Sequence, residues 1–210
     1  MGGVTADVKM QTEVPGLLVA GEAVGGANGA NRLSGNAITE AFVFGRQAGR
    51  TAAARAKAMK AVPASDNAAT ATVDLIRSAP PKDMPNSAEM LQRLQATMSD
   101  DVGPLRIGGK LKRALGTIDE LARALGDRPF GGGGAFDMQR LDWFDLRNML
   151  TVARAVTQAA SLRTESRGAH QREDFPEMLP HWRVNQAIRL RGEKLEITQA
   201  PASPVEVAAQ

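Results

Sequence analysis

The pattern of apolar and polar positions in the first 60 residues predicts one strand followed by one helix. A short apolar run at residues 17–20, between Pro15-Gly16 and Gly21, is typical of a buried strand in a parallel sheet. Such a strand needs partners on its edges, so we expect the rest of its sheet to come from elsewhere. Residues 36–60 then repeat apolar side chains at helical spacing and predict a helix.

The remainder of the chain predicts a bundle of three helices and a hairpin. Residues 61–86 form a proline-containing connector with a short helix at 70–78, and helices follow at 87–100, 107–125 and 138–162. Ser87 is the expected N-cap of the first of these three. Their inward side chains are expected to be Met90, Leu91, Leu94, Met98, Leu111, Leu115, Ile118, Leu121, Ala122, Leu125, Leu141, Leu146, Leu150, Ala153, Val156 and Ala160. Short loops between the helices favour an antiparallel bundle, and residues 183–199 alternate around Arg191-Gly192-Glu193 as a β-hairpin does.

Composition narrows the chemistry mainly by what it excludes. A chain of 210 residues is one domain or two small ones. Because cysteine is absent, disulfides, thiolate zinc sites and cysteine nucleophiles are excluded, and two histidines, His170 and His181, are too few for a multi-histidine metal site. A net charge of +3 does not demand a nucleic-acid partner, and 4% aromatic residues leave few side chains on which bases could stack, so no nucleic-acid partner is expected. No apolar run is long enough for a transmembrane helix.

One constellation carries candidate chemistry. Glu22 follows the predicted strand, a glycine-rich turn comes next, and Gly35-Asn36 opens the predicted helix. A carboxylate at the end of a strand is placed to bind ribose hydroxyls, and the N-terminus of a helix offers amides to an anionic or electron-rich ligand. Spacing alone is equally compatible with a tight loop that carries a solvated glutamate.

Three longer motifs resemble the flavoprotein subunit of succinate dehydrogenase and fumarate reductase, a pattern shared by L-aspartate oxidase. They are Val14-Pro-Gly-Leu-Leu-Val-Ala-Gly-Glu-Ala23, Asn28-Gly-Ala-Asn-Arg-Leu-Ser-Gly-Asn-Ala37 and Phe44-Gly-Arg-Gln-Ala-Gly49. Met1-Gly-Gly-Val4 resembles a segment that lies just upstream in the family, and Glu165-Ser-Arg-Gly-Ala-His170 resembles a late one. The resemblance covers nearly all of residues 1–182.

The resemblance implies the last part of such a subunit. The expected fold is an α/β remnant of an FAD-binding domain (strand plus helix), followed by an all-α three-helix bundle and a C-terminal β-hairpin. The expected boundaries are 1–60 for the FAD-binding piece, 61–86 for a linker, 87–182 for the helical domain and 183–210 for the hairpin and tail. The Gly-x-Gly-x-x-Gly segment that holds the FAD pyrophosphate in the family has no counterpart in this chain. The N-terminal flavin-binding segment and the capping segment of the family are therefore expected on the same chain or on a separate partner chain.

The resemblance also assigns roles to single residues. Glu22 matches the glutamate that binds the FAD ribose, and Arg32 matches the arginine that clamps a substrate carboxylate with its rigid fork. Ala37 and Ile38 match the pair whose backbone amides approach the pyrimidine edge of the flavin. Asn28 stands where the family often has a histidine. No catalytic residue is carried over.

The implied function is FAD-dependent hydride transfer between the flavin and a dicarboxylate, with this chain alone incomplete and inactive. The resemblance further implies that the protein is cytoplasmic and is held peripherally at the inner membrane by partner proteins. An iron–sulfur protein is expected to be one of those partners. The alternative is a non-catalytic helical docking module or one chain of a split flavoenzyme.

A dense polar segment follows the last predicted helix. It contains Glu165, Arg167, His170, Arg172 and Asp174. This set favours an ion-paired latch that holds the bundle against the flavin domain over the alternative in which His170 is an acid–base catalyst. The two tryptophans, at positions 143 and 182, are expected to be packing residues.

Overall fold

The computed structural model describes residues 2–30, 35–60, 69–132, 134–192 and 194–202. The chain divides into two compact units. The N-terminal unit comprises the described residues up to Lys60 together with Arg167–Ala169, and the helical unit comprises the described residues 69–166 and 170–202.

The N-terminal unit consists of extended segments, one 3₁₀ turn and one long helix, α1 (Asn36–Ala58). The predicted strand at residues 17–20 takes the form of a single antiparallel bridge between Gln11 and Leu18, supported by Val19 N–H donating to the Met10 carbonyl at 3.0 Å. Its partner therefore lies within this chain. The expectation that the strand is buried is wrong, because Leu17 is 52% exposed.

The helical unit is built on α3 (Ser87–Val102), α4 (Gly108–Leu125) and α5 (Met138–Leu162), which pack on one another. These bounds agree with the predicted helices to within two residues. Apolar side chains recurring at helical spacing form the core, including Leu94, Ile118 and Trp143, which are at most 2% exposed. The unit therefore has a core made by its own helices.

Three details of the predicted bundle are wrong. Asn86, not Ser87, caps α3: its Oδ1 accepts from Ala88 N–H at 3.0 Å, whereas the Ser87 hydroxyl points to Asp142 on α5 at 3.4 Å. Leu141 and Val156 were expected in the core but are 49% and 40% exposed.

Smaller elements complete the helical unit. The short helix α2 (Thr70–Arg77) packs Leu75 against the core. The strands β1 (Leu105–Arg106) and β2 (Gln171–Arg172) pair in parallel, and β3 (Val184–Arg191) with β4 (Lys194–Pro201) forms the predicted hairpin. Among the helices in the described ranges, none is long and apolar enough to cross a bilayer.

Candidate functional site

Glu22 lies in the 3₁₀ turn Gly21–Ala23, which packs on the first turns of α1. Gly21 has a φ of +66°, a conformation that favours glycine, and a Cβ placed on it would lie 3.7 Å from the Ala41 Cα. Ala41 is one helical turn beyond Ile38, so the turn brings the Glu22 backbone to the N-terminal end of α1. The Glu22 side chain itself is exposed.

Two glycines fix this turn by direct backbone packing. A Cβ on Gly3 would lie 2.6 Å from the Gly25 nitrogen, and one on Gly25 would lie 2.9 Å from the Gly3 carbonyl oxygen. Only glycine fits at both positions, since each contact is with backbone. The neighbouring Val4 donates to the Ala23 carbonyl at 2.8 Å and accepts from Gly25 N–H at 3.0 Å. The segment at residues 2–4 therefore holds the end of the Glu22 turn.

Ala37 and Ile38 lie in the first turn of α1, where backbone N–H groups point out of the helix end. The N-cap residue is Gly35, which has no side chain to satisfy these donors. Ala37 is half-buried and Ile38 is 67% exposed. The helix end thus offers amide donors and the positive end of the helix dipole to a ligand.

Asn28 is tied to α1 by a contact that the sequence did not predict. Its side-chain amide donates to Glu40 Oε1 at 3.0 Å. Because Glu40 belongs to the first two turns of α1, the glycine-rich segment is anchored beside the same helix end as the Glu22 turn. Arg32, the predicted substrate arginine, lies outside the described residues. Of the four predicted site residues, the structure thus describes Glu22 on the turn Gly21–Ala23 and Ala37 and Ile38 in the first turn of α1, two elements that pack on each other.

Several of the polar residues after α5 form an ion-paired network inside the helical unit. Its first half is centred on Arg163, which the sequence analysis did not single out. Arg163 donates to Glu165 Oε1 at 2.6 Å and stacks over Trp182 with its Cζ 5.0 Å from the ring centroid. Glu165 is fully buried, and its second oxygen accepts from Leu179 N–H at 2.9 Å. The charge of Glu165 is thus balanced by a cation and a backbone donor.

Arg172 and His170 form the second half of this network. Arg172 binds both oxygens of Asp174, at 2.8 and 2.9 Å, and its guanidinium holds the pKa of that carboxyl well below the usual range. His170 Nδ1 lies 2.6 Å from Arg106 Nη1, and its Nε2 lies 3.2 Å from the Arg163 carbonyl oxygen.

The contacts of His170 indicate a neutral ring with its proton on Nε2. Since arginine can only donate, Nδ1 is the acceptor, and Nε2 donates to the carbonyl. Burial lowers the pKa of His170, and the charges of Arg106, Arg163 and Arg172 lower it further. Both ring nitrogens are engaged in hydrogen bonds within the helical unit, which supports a structural role for His170 over the acid–base alternative.

Arg140 is a buried cation that sequence reasoning missed. It is 6% exposed, and its guanidinium donates to the carbonyls of Phe130, Gly131, Ser78 and Ile76. A signal was present in the sequence, since residue 140 lies on the same inward stripe of α5 as Trp143. Both tryptophans are packing residues as predicted, with exposures of 1% at Trp143 and 7% at Trp182.

Comparison with known proteins places these observations in a family. The sequence profile described as "Fumarate reductase flavoprotein C-term" matches residues 91–208. The chain is 38% identical over 186 residues to one component of the fumarate reductase (CoM/CoB) of Methanothermobacter marburgensis, covering 87% of this chain and 33% of that protein. It is also 38% identical over 197 residues to an uncharacterised FAD-dependent oxidoreductase of Methanocaldococcus jannaschii, covering 93% of this chain and 35% of that protein.

A solved structure supports the same relationship. The Mycobacterium smegmatis Sdh1 complex in the apo form contains a chain that matches with a TM-score of 0.87 and 33% identity, over 96% of this chain and 36% of that chain. The chain thus spans about a third of the length of the relatives that it matches.

Proposed function

This chain belongs to the fumarate reductase flavoprotein family, and we propose from that premise that it is the C-terminal portion of an FAD-dependent oxidoreductase acting on a dicarboxylate. The observation that carries the proposal is the packing of the Glu22 turn on the N-terminal end of α1. This packing supports a site that combines the exposed Glu22 carboxylate with amide donors that have no side-chain cap from Gly35.

This donor set fits one part of a flavin nucleotide. Glu22 would accept hydrogen bonds from ribose hydroxyls, and the amides of Ala37 and Ile38 would donate to the pyrimidine edge of the ring. When bound, FAD supplies the hydride-transfer chemistry of the complete enzyme. The amides and the dipole of α1 favour negative charge at that edge, and therefore favour the reduced state electrostatically.

Substrate binding is assigned to Arg32, which follows the anchored Asn28 in the glycine-rich segment. A guanidinium presents two parallel donors to a carboxylate and holds it in one orientation. This role fits a dicarboxylate, because the second carboxylate is left for residues outside this chain. Asn28 supports the segment through Glu40 instead of supplying a titratable group.

The helical unit has an apolar core of its own, and we infer that its surface binds further protein subunits. A solved relative is described as a complex, which supports an assembly with further subunits. We take one of these subunits to be an iron–sulfur protein, as the sequence resemblance implies. Attachment of the complete enzyme to the inner membrane from the cytoplasm would then run through those subunits. The alternative function, a non-catalytic docking module, would retain this unit without the Glu22 arrangement.

The proposal is tested by two substitutions in the complete flavoenzyme that contains this chain. Arg32→Ala should keep FAD and lose dicarboxylate binding by on the order of 2–4 kcal/mol, because a charge-assisted pair is removed. Glu22→Ala should weaken FAD retention, with residual activity restored by added FAD. FAD content after gel filtration and steady-state kinetics measure the two effects.

Matched controls separate these roles from general damage. Arg46→Ala removes an exposed arginine of α1, and Glu13→Ala removes an exposed glutamate of the same unit; both should leave FAD content and dicarboxylate affinity unchanged. The assignment is wrong if Arg32→Ala releases the flavin while the remaining holoenzyme keeps its dicarboxylate affinity.

A further inference from the structure

Gly3 lies against the chain that leaves the Glu22 turn, and this contact is a matter of space alone. A Cβ placed on Gly3 would lie 2.6 Å from the Gly25 nitrogen and 2.8 Å from the Ala23 carbonyl oxygen. Neither Gly3 nor Gly25 has a φ in the left-handed region, so the backbone conformation at both positions would accept alanine. What excludes a methyl group is the closeness of the two backbones.

Val4, the residue after Gly3, ties the two segments together. Its N–H donates to the Ala23 carbonyl at 2.8 Å, and its carbonyl accepts from Gly25 N–H at 3.0 Å. A methyl group on Gly3 would meet the same Ala23 carbonyl oxygen that Val4 binds. Because the nearest atoms in the way are all backbone, no side chain can turn aside to relieve the clash. The two segments must therefore part, which breaks or lengthens the hydrogen bonds of Val4.

These hydrogen bonds hold one end of the turn that carries Glu22. Ala23 directly follows Glu22 and is the last residue of the 3₁₀ turn. At the other end of the turn, the Gly21 backbone packs on Ala41 of α1. Parting of the two segments therefore releases one of the two ends that fix Glu22. A ligand that binds the Glu22 carboxylate must then order the turn again, which costs binding free energy.

We propose that Gly3 is a positioning residue for FAD binding: its backbone contact with Ala23 and Gly25 fixes the turn that presents Glu22. This inference rests on the function proposed above, since it takes Glu22 as a ligand of FAD. It gives the Met1-Gly-Gly-Val4 motif a role that the sequence resemblance did not assign. The role requires no contact between Gly3 and the cofactor.

The first test is Gly3→Ala in the complete flavoenzyme, with Gly2→Ala as the matched control. FAD is removed from the purified protein, and its dissociation constant is then measured by titration through the change in flavin fluorescence. Gly3→Ala should raise this constant at least about tenfold. Gly2→Ala should leave it unchanged, because a Cβ there would meet no described atom within 4 Å outside its chain neighbours. An unchanged constant in Gly3→Ala would overturn the inference.

The second test asks whether Gly3 acts through Glu22. In the Glu22→Ala background the carboxylate is already absent, so adding Gly3→Ala should raise the FAD dissociation constant by less than about twofold. General damage to the flavin-binding domain would instead add the full loss of Gly3→Ala to that of Glu22→Ala. Additive losses would therefore show that Gly3 does not position Glu22.

Gly25→Ala approaches the same contact from the opposite segment, and it replaces Gly3→Ala if that variant does not fold. A Cβ on Gly25 would lie 2.9 Å from the Gly3 carbonyl oxygen, so this variant should also raise the FAD dissociation constant at least about tenfold. If Glu22→Ala binds FAD as the wild type does, the proposed role of Glu22 fails and this inference fails with it. If Glu22→Ala weakens FAD binding but neither glycine variant does, only the positioning inference fails.

Discussion

The two units of this chain differ in how many apolar side chains each buries with its own residues. The helical unit buries a continuous set of apolar side chains from three helices, with Leu111 and Ile118 fully buried. In the described part of the N-terminal unit, Met10 is the one buried hydrophobic residue, and α1 has none. On α1, Ile38 and Phe42 are 67% and 74% exposed.

This difference in buried apolar side chains arises because only the helical unit has several helices that can pack against one another. A bundle of three amphipathic helices can bury its own apolar faces, whereas a bridge of a few residues beside one helix cannot. The chain spans about a third of the length of its relatives, and within the described N-terminal unit Ile38 and Phe42 of α1 stay largely exposed. The candidate site thus lies in the unit that buries few apolar side chains of its own.

The largest expected effect is on amide hydrogen exchange in the isolated chain. Amides of α3, α4 and α5 should be protected at least about a thousandfold more than those of residues 2–30, because their opening requires loss of the whole core. Exchange monitored by NMR or by mass spectrometry of peptides measures the contrast. Comparable protection in both regions of a monomeric sample would contradict the comparison.

The next effect is on the free energy of unfolding. Ile118→Ala should destabilise the isolated chain by about 2–5 kcal/mol, because it leaves a cavity in a fully buried position. Phe42→Ala, although it removes a larger side chain, should cost less than about 0.5 kcal/mol, because that side chain is largely exposed. Urea unfolding followed by helical circular dichroism measures both.

A control within the bundle makes this second prediction specific. Val152→Ala changes a 61% exposed residue of α5 and should resemble Phe42→Ala. A loss at Phe42 as large as that at Ile118 would show that α1 is packed in the isolated chain as firmly as the bundle.

The smallest expected effect is on the pH dependence of the unfolding free energy of the helical unit. Because the pKa of His170 is lowered in the folded state, the unfolded chain takes up its proton first as the pH falls. The stabilisation is therefore complete above the unfolded pKa of about 6.5 and is lost progressively below it. Asp174, whose pKa is also lowered, adds a second loss below about pH 4.

A variant at His170 checks this assignment. His170→Gln should reduce the loss of unfolding free energy between about pH 7 and pH 5. If His170→Gln keeps the full pH dependence, another group is responsible for it.

Local features of the sequence were sufficient for the secondary structure. Helical spacing of apolar residues located α3, α4 and α5 to within two residues, and the alternation around Gly192 located the hairpin. The motifs with Glu22 and Gly35-Asn36 identified the family because long runs of specific residues are rare by chance. These features depend on neighbours along the chain, so the sequence displays them directly.

Contacts between distant residues were decided only by the tertiary structure. Periodicity could not show that Leu141 and Val156 would stay exposed, that Asn86 would cap α3, or that Arg140 would bind four carbonyls, because each outcome depends on how the elements pack. The approach of Gly3 to Gly25 is of the same kind. Sequence spacing determines which side chains share a face of one element, whereas packing between elements determines what that face meets.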